Sequence, residues 1–424
     1  MITPLFRCDQ TAEAVEISVK LPYIRAKDVE FQIDDGCEVM IYVKPYFLRL
    51  RLPGEIDPDE ADGPTDASYD LESGWLRLKL RKARVGQEFP GLELLSRLLV
   101  SSSQKDKRLG QSRRIQVLGS TSEGTEAEEE EEVHTGDNEN DVINGLARLG
   151  LQDSHKRYGF AERYSRVFEG RQEDLSEILE NPDPDEIPRG ERSAMRELRE
   201  LARFSEDHYC ADFAETEEVV KPLLEFQDEV SSGSFDDDEL RMLVTLPGYS
   251  FFPDVDNVAL NDLANILFAY CYDRRTTLGE STVESSWTIT MISPTLAWLE
   301  SFSRLETSLV AAFRRSLVYP LYRHFSLSQK VLEDCRQLFR AGPGTVLRAL
   351  LHMKSMFESS ESRFVLSTIF LIDYCIWIQG LSDSLFKSFT NEMEEFKIEK
   401  SEMPWDLVEL ERQVLEAGGR SPAH

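Results

Sequence analysis

Several signatures of chemistry are missing from this 424-residue sequence. It contains no HExxH string, no G-x-S-x-G turn and no Gly-rich loop ending in Lys-Ser/Thr. The common motifs for zinc hydrolysis, serine hydrolysis and nucleotide binding therefore have no counterpart. The six cysteines, at 8, 37, 210, 271, 335 and 375, form no CxxC pair. None of the six histidines, at 134, 155, 208, 324, 352 and 424, stands at zinc-ligand spacing from one of them. Cys37, Cys271 and Cys375 lie in apolar-rich segments, which fits small buried thiols and a reducing, intracellular compartment.

Positive charge is scarce as well. The chain carries 48 Lys and Arg against 78 Asp and Glu, a formal charge of −30. Such a surface repels phosphate backbones and attracts basic partners, so direct nucleic-acid binding is not expected. Long apolar runs are also absent. The most apolar stretch, residues 364–378, is shorter than the ~20 residues a bilayer core requires, and Asp373 interrupts it. A helix buried in protein is expected there, with no membrane contact. The opening MITPLFRCDQ lacks the basic and then apolar pattern of a secretory leader.

What is present begins with alternation. Val15, Ile17, Val19 and Leu21 alternate with Glu16, Ser18 and Lys20, the period of a strand buried on one face. Val29, Phe31 and Ile33 repeat the pattern, as do Leu48, Leu50 and Leu52, and then Leu76, Leu78 and Leu80. Asp35-Gly36 supplies the positive-φ pair that a tight hairpin needs. About six or seven short strands in residues 1–98 predict an all-β antiparallel sandwich.

Residues 99–147 change character. Lys105, Lys107, Arg108, Arg113 and Arg114 form a basic cluster, and residues 126–132 are nearly all glutamate. So few apolar groups cannot offset the entropy of ordering, and a disordered charged linker is expected. The basic cluster reads as solvated linker, with a nuclear import signal as its rival. Ser120 and Thr125, with Glu123 and Glu128 three positions on, match a weak acidic-directed kinase pattern. A linker of this kind predicts that the segments on either side fold independently.

From residue 148 to 405 the pattern is helical. Leu263, Ile266, Leu267, Tyr270 and Cys271 share one face of a helix. Leu305, Leu309, Ala312, Phe313 and Leu317 mark another, which Pro320 stops. Trp287, Trp298 and Phe302 lie between them and must be absorbed by the core. Residues 192–204 read as a helix with Leu198 and Leu201 inward and alternating charges outward. Leu347, Leu350, Leu351 and Met353 mark a further helix, as do Phe386, Phe389, Met393 and Phe396. His324 reads as a structural hydrogen-bonding residue. Gly342-Pro343-Gly344 reads as a turn rather than a phosphate-binding helix start. Carboxylates are too abundant for any pair to be nominated as acid and base, so neither an enzyme nor a cofactor is expected.

Certain strings are more specific than their periodicity. AYCYDRRTTLGESTVESSWTI and VYPLYRHF resemble the signature domain of the Shq-type assembly chaperones of H/ACA ribonucleoproteins. RYGFAERYSRVFEG and FSEDHYCADFAETEEVVKPLLEF resemble the start of that domain. KPYFLRLRLPG and GWLRLKLRK resemble a CS domain, the alpha-crystallin-like fold of several co-chaperones. The resemblance implies a multidomain chain: a CS-like sandwich over 1–98, the linker, a large all-α Shq-specific domain over 148–405, and a short tail over 406–424. It also implies an assembly chaperone that binds a dyskerin-like pseudouridine synthase subunit before guide RNA is loaded. Release by an AAA+ ATPase complex and a place in nucleoplasm and cytosol go with that reading. The alternative is a CS-domain co-chaperone of a heat-shock ATPase.

One site is expected from charge placement. Residues 206–239 hold thirteen acidic side chains against one basic residue, Lys221. Asp236, Asp237, Asp238 and Glu239 open a helix that runs through Leu240, Leu243 and Val244. The positive end of a helix favours such groups, and that accounts for about two of the four. The remainder fits a surface imitating a phosphate backbone, which the family resemblance implies. These four residues are the expected partner-binding site.

Overall fold

The computed structural model describes residues 3–99 and 156–418, apart from 22–23, 25–28, 45, 61–65, 71–72, 170–174, 229–233, 248–255 and 320. The expected linker, with its basic cluster, glutamate run and kinase-pattern residues, lies outside the described residues, as does Pro320.

The strands are β1 (Phe6–Gln10), β2 (Ala14–Lys20), β3 (Glu30–Asp34), β4 (Glu38–Val43), β5 (Tyr46–Arg51), β6 (Asp66–Asp70) and β7 (Trp75–Arg81). Alternating residues build β2, β3, β5 and β7 where the sequence predicts them, and the other three complete the sandwich. All pair antiparallel, in a four-stranded sheet ordered β1-β2-β7-β6 and a three-stranded sheet ordered β3-β4-β5. The β2–β7 register sets Val19 opposite Leu76 and Ile17 opposite Leu78, so one apolar side is continuous. It is buried with Val39, Ile41, Leu48 and Leu50 of the other sheet. Asp35 and Gly36 take φ of 51° and 67°, left-handed values at the first two of the three residues that turn the chain between β3 and β4. The opposite side of the four-stranded sheet carries Arg7, Lys20, Trp75, Arg77 and Lys79 together with Asp9, Glu16, Asp66 and Asp70, an outer face of mixed charge.

The rest is helical: α1 (Leu95–Leu98), α2 (Leu175–Ile178), α3 (Arg189–Arg203), α4 (Glu206–Ala214), α5 (Lys221–Glu225), α6 (Asp237–Thr245), α7 (Asp256–Thr276), α8 (Ser285–Ile292), α9 (Pro294–Ala297), α10 (Leu305–Ser316), α11 (Phe325–Ala341), α12 (Pro343–Glu358), α13 (Phe364–Leu366), α14 (Ile372–Gly380), α15 (Asp383–Glu395) and α16 (Leu407–Gly418). The core is built around α7, against which α8, α10 and α11 pack. Residues 259–273 are buried on every side, not only along the predicted face. The polar groups of α7 are matched accordingly. Asn261 donates to the Phe302 carbonyl, Asn265 donates to that of Ser308, and Asp262 accepts from the Phe302 amide at 2.7 Å.

The apolar run at 364–378 is largely buried as expected, with Phe364 and Thr368 exposed, and α13 joins α14 through a π-helical turn, Ser367–Leu371. Asp373 within it is fully buried, accepting from Tyr164 Oη at 2.8 Å beside Arg163 at 3.2 Å. Among the described residues no single helix is long and apolar enough to cross a membrane. The residues expected as a tail contain α16, which packs on α4. Tyr209 donates to Glu411 there at 2.8 Å, and Phe204 stacks on Trp405 at 4.0 Å.

One predicted element is inverted. Helix α3 forms, but Leu198 is 68% exposed and Leu201 47%, while Arg192, Arg196 and Glu200 are buried. Hydrophobic periodicity identifies two faces of a helix but not which one the core takes. Here the charged face wins because it finds partners. Arg192 donates to the carbonyls of Leu299 at 2.7 Å and of Lys156 and Pro184 at 3.1 Å. Arg196 joins Glu200 at 2.8 Å and Glu300 at 2.6 Å. Arg314 and Arg315 of α10 complete the cluster, on Glu200 at 3.0 Å and Glu180 at 2.9 Å. Three guanidinium groups thus face three carboxylates, while buried Arg192 is met by backbone carbonyls. Burial works to raise the Glu180 carboxyl, but Arg315 and hydrogen bonds from Tyr319 and Trp298 outweigh it and hold it below its ordinary value.

Candidate partner-binding surface

The four expected site residues begin α6, and local chemistry explains why. Asp236 is the N-cap, its carboxylate accepting from the amides of Asp238 at 2.9 Å and Glu239 at 2.8 Å. Glu239 returns the bond by accepting from the Asp236 amide at 2.8 Å, which closes a capping box. The second oxygen of Glu239 takes Arg348 Nε at 2.8 Å, and that guanidinium also lies 4.8 Å from the Phe235 ring. Asp238 points to solvent and pairs with Arg241.

Asp237 turns the other way, toward the β-sandwich. Its carboxylate accepts from Lys20 Nζ at 2.7 Å and from Arg7. Both cations lie over Trp75, at 5.5 and 4.9 Å from its ring. The hydrogen bond from Lys20, opposed by partial burial and helped by Arg7, keeps the Asp237 carboxyl below its ordinary value. The two parts that the linker separates in sequence therefore touch in space. Around this contact α1 packs on α6 and α14, and Arg97 approaches Asp383 at 3.9 Å. A cleft of about 420 Å³ lies between the parts, lined by Cys8, Gln10, Glu93, Phe235, Gly342 and Arg348. The outward position of Lys20 was legible from strand alternation, but its partner 217 residues away was not.

The wider acidic stretch divides in the same manner. Asp212 holds Arg323 at 3.2 Å, and Asp228 takes both ends of Arg274 at 2.7 and 2.9 Å. Glu206, Asp207, Glu215, Glu218, Glu225, Asp236 and Asp238 are exposed. Ser205 caps α4 by accepting from the His208 amide at 3.2 Å. A second cavity, of about 350 Å³, lies beside the site, lined by Asp228, Asp238, Glu239, Tyr270, Arg274 and His352. Tyr270 Oη and His352 Nδ1 are 3.0 Å apart there, and burial lowers the imidazole's pKa. Ser281 Oγ approaches the other ring nitrogen only at 3.4 Å. His324 serves as the N-cap of α11, accepting from the Leu327 amide at 3.3 Å, which is a structural role. Gly342, at φ 104°, is the turn before α12.

The described residues hold no cluster of three or more His, Cys, Asp or Glu able to bind a metal ion. What they define is a two-part protein, a CS-type sandwich clamped to an all-α domain with an acidic outer surface. Residues 3–99 match the family described as SHQ1-like, CS domain, and residues 225–407 match SHQ1 protein, Shq1 domain. The chain is 35% identical to the protein SHQ1 homolog of Xenopus tropicalis, over 97% of this chain and 69% of that one. It is 34% identical to protein shq1 of Schizosaccharomyces pombe, over 98% and 97%. It is 32% identical to the Mus musculus protein SHQ1 homolog, over 100% and 79%. The chain belongs to the SHQ1 family. That membership supports a role as an H/ACA assembly chaperone rather than an enzyme.

Proposed function

We propose that the chain binds the pseudouridine synthase subunit of H/ACA particles, a dyskerin-like protein, before its RNA is loaded, and shields its RNA-binding face. The observation that carries this reading is the run of exposed carboxylates from Glu206 to Asp238 in a region with one basic residue, Lys221. A protein that binds RNA presents lysines and arginines to phosphate. Carboxylates can meet the same cations through charge-assisted hydrogen bonds. Of the four residues expected to touch the partner, Asp236 and Asp238 face solvent, while Asp237 and Glu239 are held by Lys20, Arg7 and Arg348. Release by an AAA+ ATPase complex, and a place in nucleoplasm and cytosol, belong to the same proposal.

The rival reading, a co-chaperone acting on a heat-shock ATPase through the sandwich, needs a free face on that domain. Arg7 and Lys20 of its four-stranded sheet are already engaged by Asp237, so such an ATPase would have to use the three-stranded sheet. Mixing the full chain with purified synthase, with and without guide RNA bound beforehand, tests it. A stable complex is expected only without RNA, and equal complex formation in both cases would overturn the reading.

A further inference from the structure

Helix α3 leaves its apolar side in water. Ala194, Met195, Leu198, Leu201 and Ala202 form one exposed stripe along the C-terminal part of this fifteen-residue helix. The face turned inward carries Arg192, Arg196 and Glu200 instead. Buried ionic clusters of this type add little stability, and well-packed apolar residues would serve a core as well or better. The orientation of α3 is thus not what core stability alone would select. It makes sense if the apolar stripe is kept available for another surface, as contiguous exposed apolar patches commonly are.

The charges around the stripe say what kind of surface fits. Exposed Glu191 stands at its N-terminal end, and exposed Glu206 and Asp207 stand just past its C-terminal end. The remaining cations of the helix are directed elsewhere: Arg189 to Glu162, and Arg199 and Arg203 to Glu180 at 3.2 and 3.4 Å. An apolar stripe with acidic ends repels nucleic acid. A second copy of this chain is also disfavoured. Antiparallel pairing of two α3 stripes would set Glu191 against Glu206 and Asp207, and parallel pairing would set like acids side by side.

We infer that the α3 stripe is a docking surface for a basic protein partner, one that offers an apolar ridge flanked by lysine or arginine. The inference rests on the proposed function, in which that partner is the RNA-binding synthase subunit. It places the affinity on α3 and leaves the acidic ends to set association rate and specificity.

The test uses the full chain and purified synthase. Leu198→Gln together with Leu201→Gln removes apolar contact without adding charge at two exposed positions, so helical content by circular dichroism should match the parent. Affinity for the synthase should fall by at least about tenfold. Leu415→Gln, an equally exposed apolar residue on α16, should leave affinity unchanged. Parent-like affinity in the double variant would overturn the inference, as would an equal loss in the Leu415 variant. A dimer of the free chain by sedimentation that the double variant dissolves would also overturn it, in favour of self-association. If the parent chain fails to bind the synthase at all, the functional reading itself falls and the docking surface falls with it.

Discussion

Lys20 and Asp237 stand 217 residues apart in the chain and 2.7 Å apart in space. One comes from an outward position of strand β2, the other from the first turn of helix α6. With Arg7 on the same carboxylate and Trp75 beneath both cations, they fasten the sandwich to the helical part. A surface carboxylate cluster that looked wholly available for a partner is therefore partly a device for holding the molecule together.

Asp237→Lys should loosen this contact without unfolding either part. The pair is partly exposed, so after solvent screening its own loss is worth about 1 kcal/mol or less, to which the new lysine adds repulsion from Lys20 and Arg7. Hydrogen exchange in β1 and β2 should quicken in the variant, and in the parent as salt is raised. Because the folded carboxyl sits below its ordinary value, its contribution is present above the unfolded pKa and fades as pH falls through the folded one. Unchanged exchange in the variant would show that apolar contacts around α1 hold the parts alone.

The buried cluster beneath α3 should be intolerant of one-sided change. Glu200→Ala removes an acceptor from Arg196 and Arg314 and leaves buried positive charge without compensation. A loss on the order of 3–5 kcal/mol is expected in urea unfolding. Exposed Leu198→Gln on the same helix should cost almost nothing by comparison. Equal losses would mean that the apolar face, not the charged one, is the buried one in solution.

Asp273, at the end of α7, is buried beside Arg274, and burial raises its carboxyl to about 6. One of its oxygens has no hydrogen-bond partner among the described residues. A folded pKa above the unfolded value favours folding below about pH 4, and that benefit is lost as pH rises through 6. Asp273→Asn should therefore raise stability at pH 8, by something on the order of 1–3 kcal/mol. The gain should vanish near pH 4. A gain independent of pH would show that the carboxyl titrates normally.

Much of this was legible in the sequence, for reasons that differ by element. The strands of the sandwich were readable because one side of each sheet is buried, so Val15, Ile17 and Val19 must alternate with polar residues. Helices α7 and α10 were readable from apolar spacing, although α7 proved buried all round because Asn261, Asp262 and Asn265 find internal partners. The orientation of α3 was not readable. Arg192 is buried on account of five carbonyl groups, from residues 156, 157, 184, 187 and 299, which periodicity within the helix cannot announce. The same limit applied to the acidic site. Its capping role followed from Asp236 and Glu239 three residues apart, whereas the hold of Lys20 and Arg7 on Asp237 depended on the fold.

The exposed carboxylates of α4 and α6 should govern how fast the synthase is met. Glu206→Lys, Asp207→Lys and Asp238→Lys together avoid both the N-cap at Asp236 and the Asp237 contact. The variant should associate more slowly with the synthase, and its rate should depend less on salt. Helical content should remain near that of the parent. An association rate equal to the parent's in low salt would remove these residues from the encounter surface.

Mutual exclusion of chain and RNA at the synthase is measured directly by a competition titration. Labelled guide RNA is bound to purified synthase, and fluorescence anisotropy is followed as the full chain is added. Anisotropy should fall to that of free RNA, with the chain–synthase complex recovered without RNA. A rise in anisotropy, reporting chain and RNA on one synthase together, would contradict mutual exclusion.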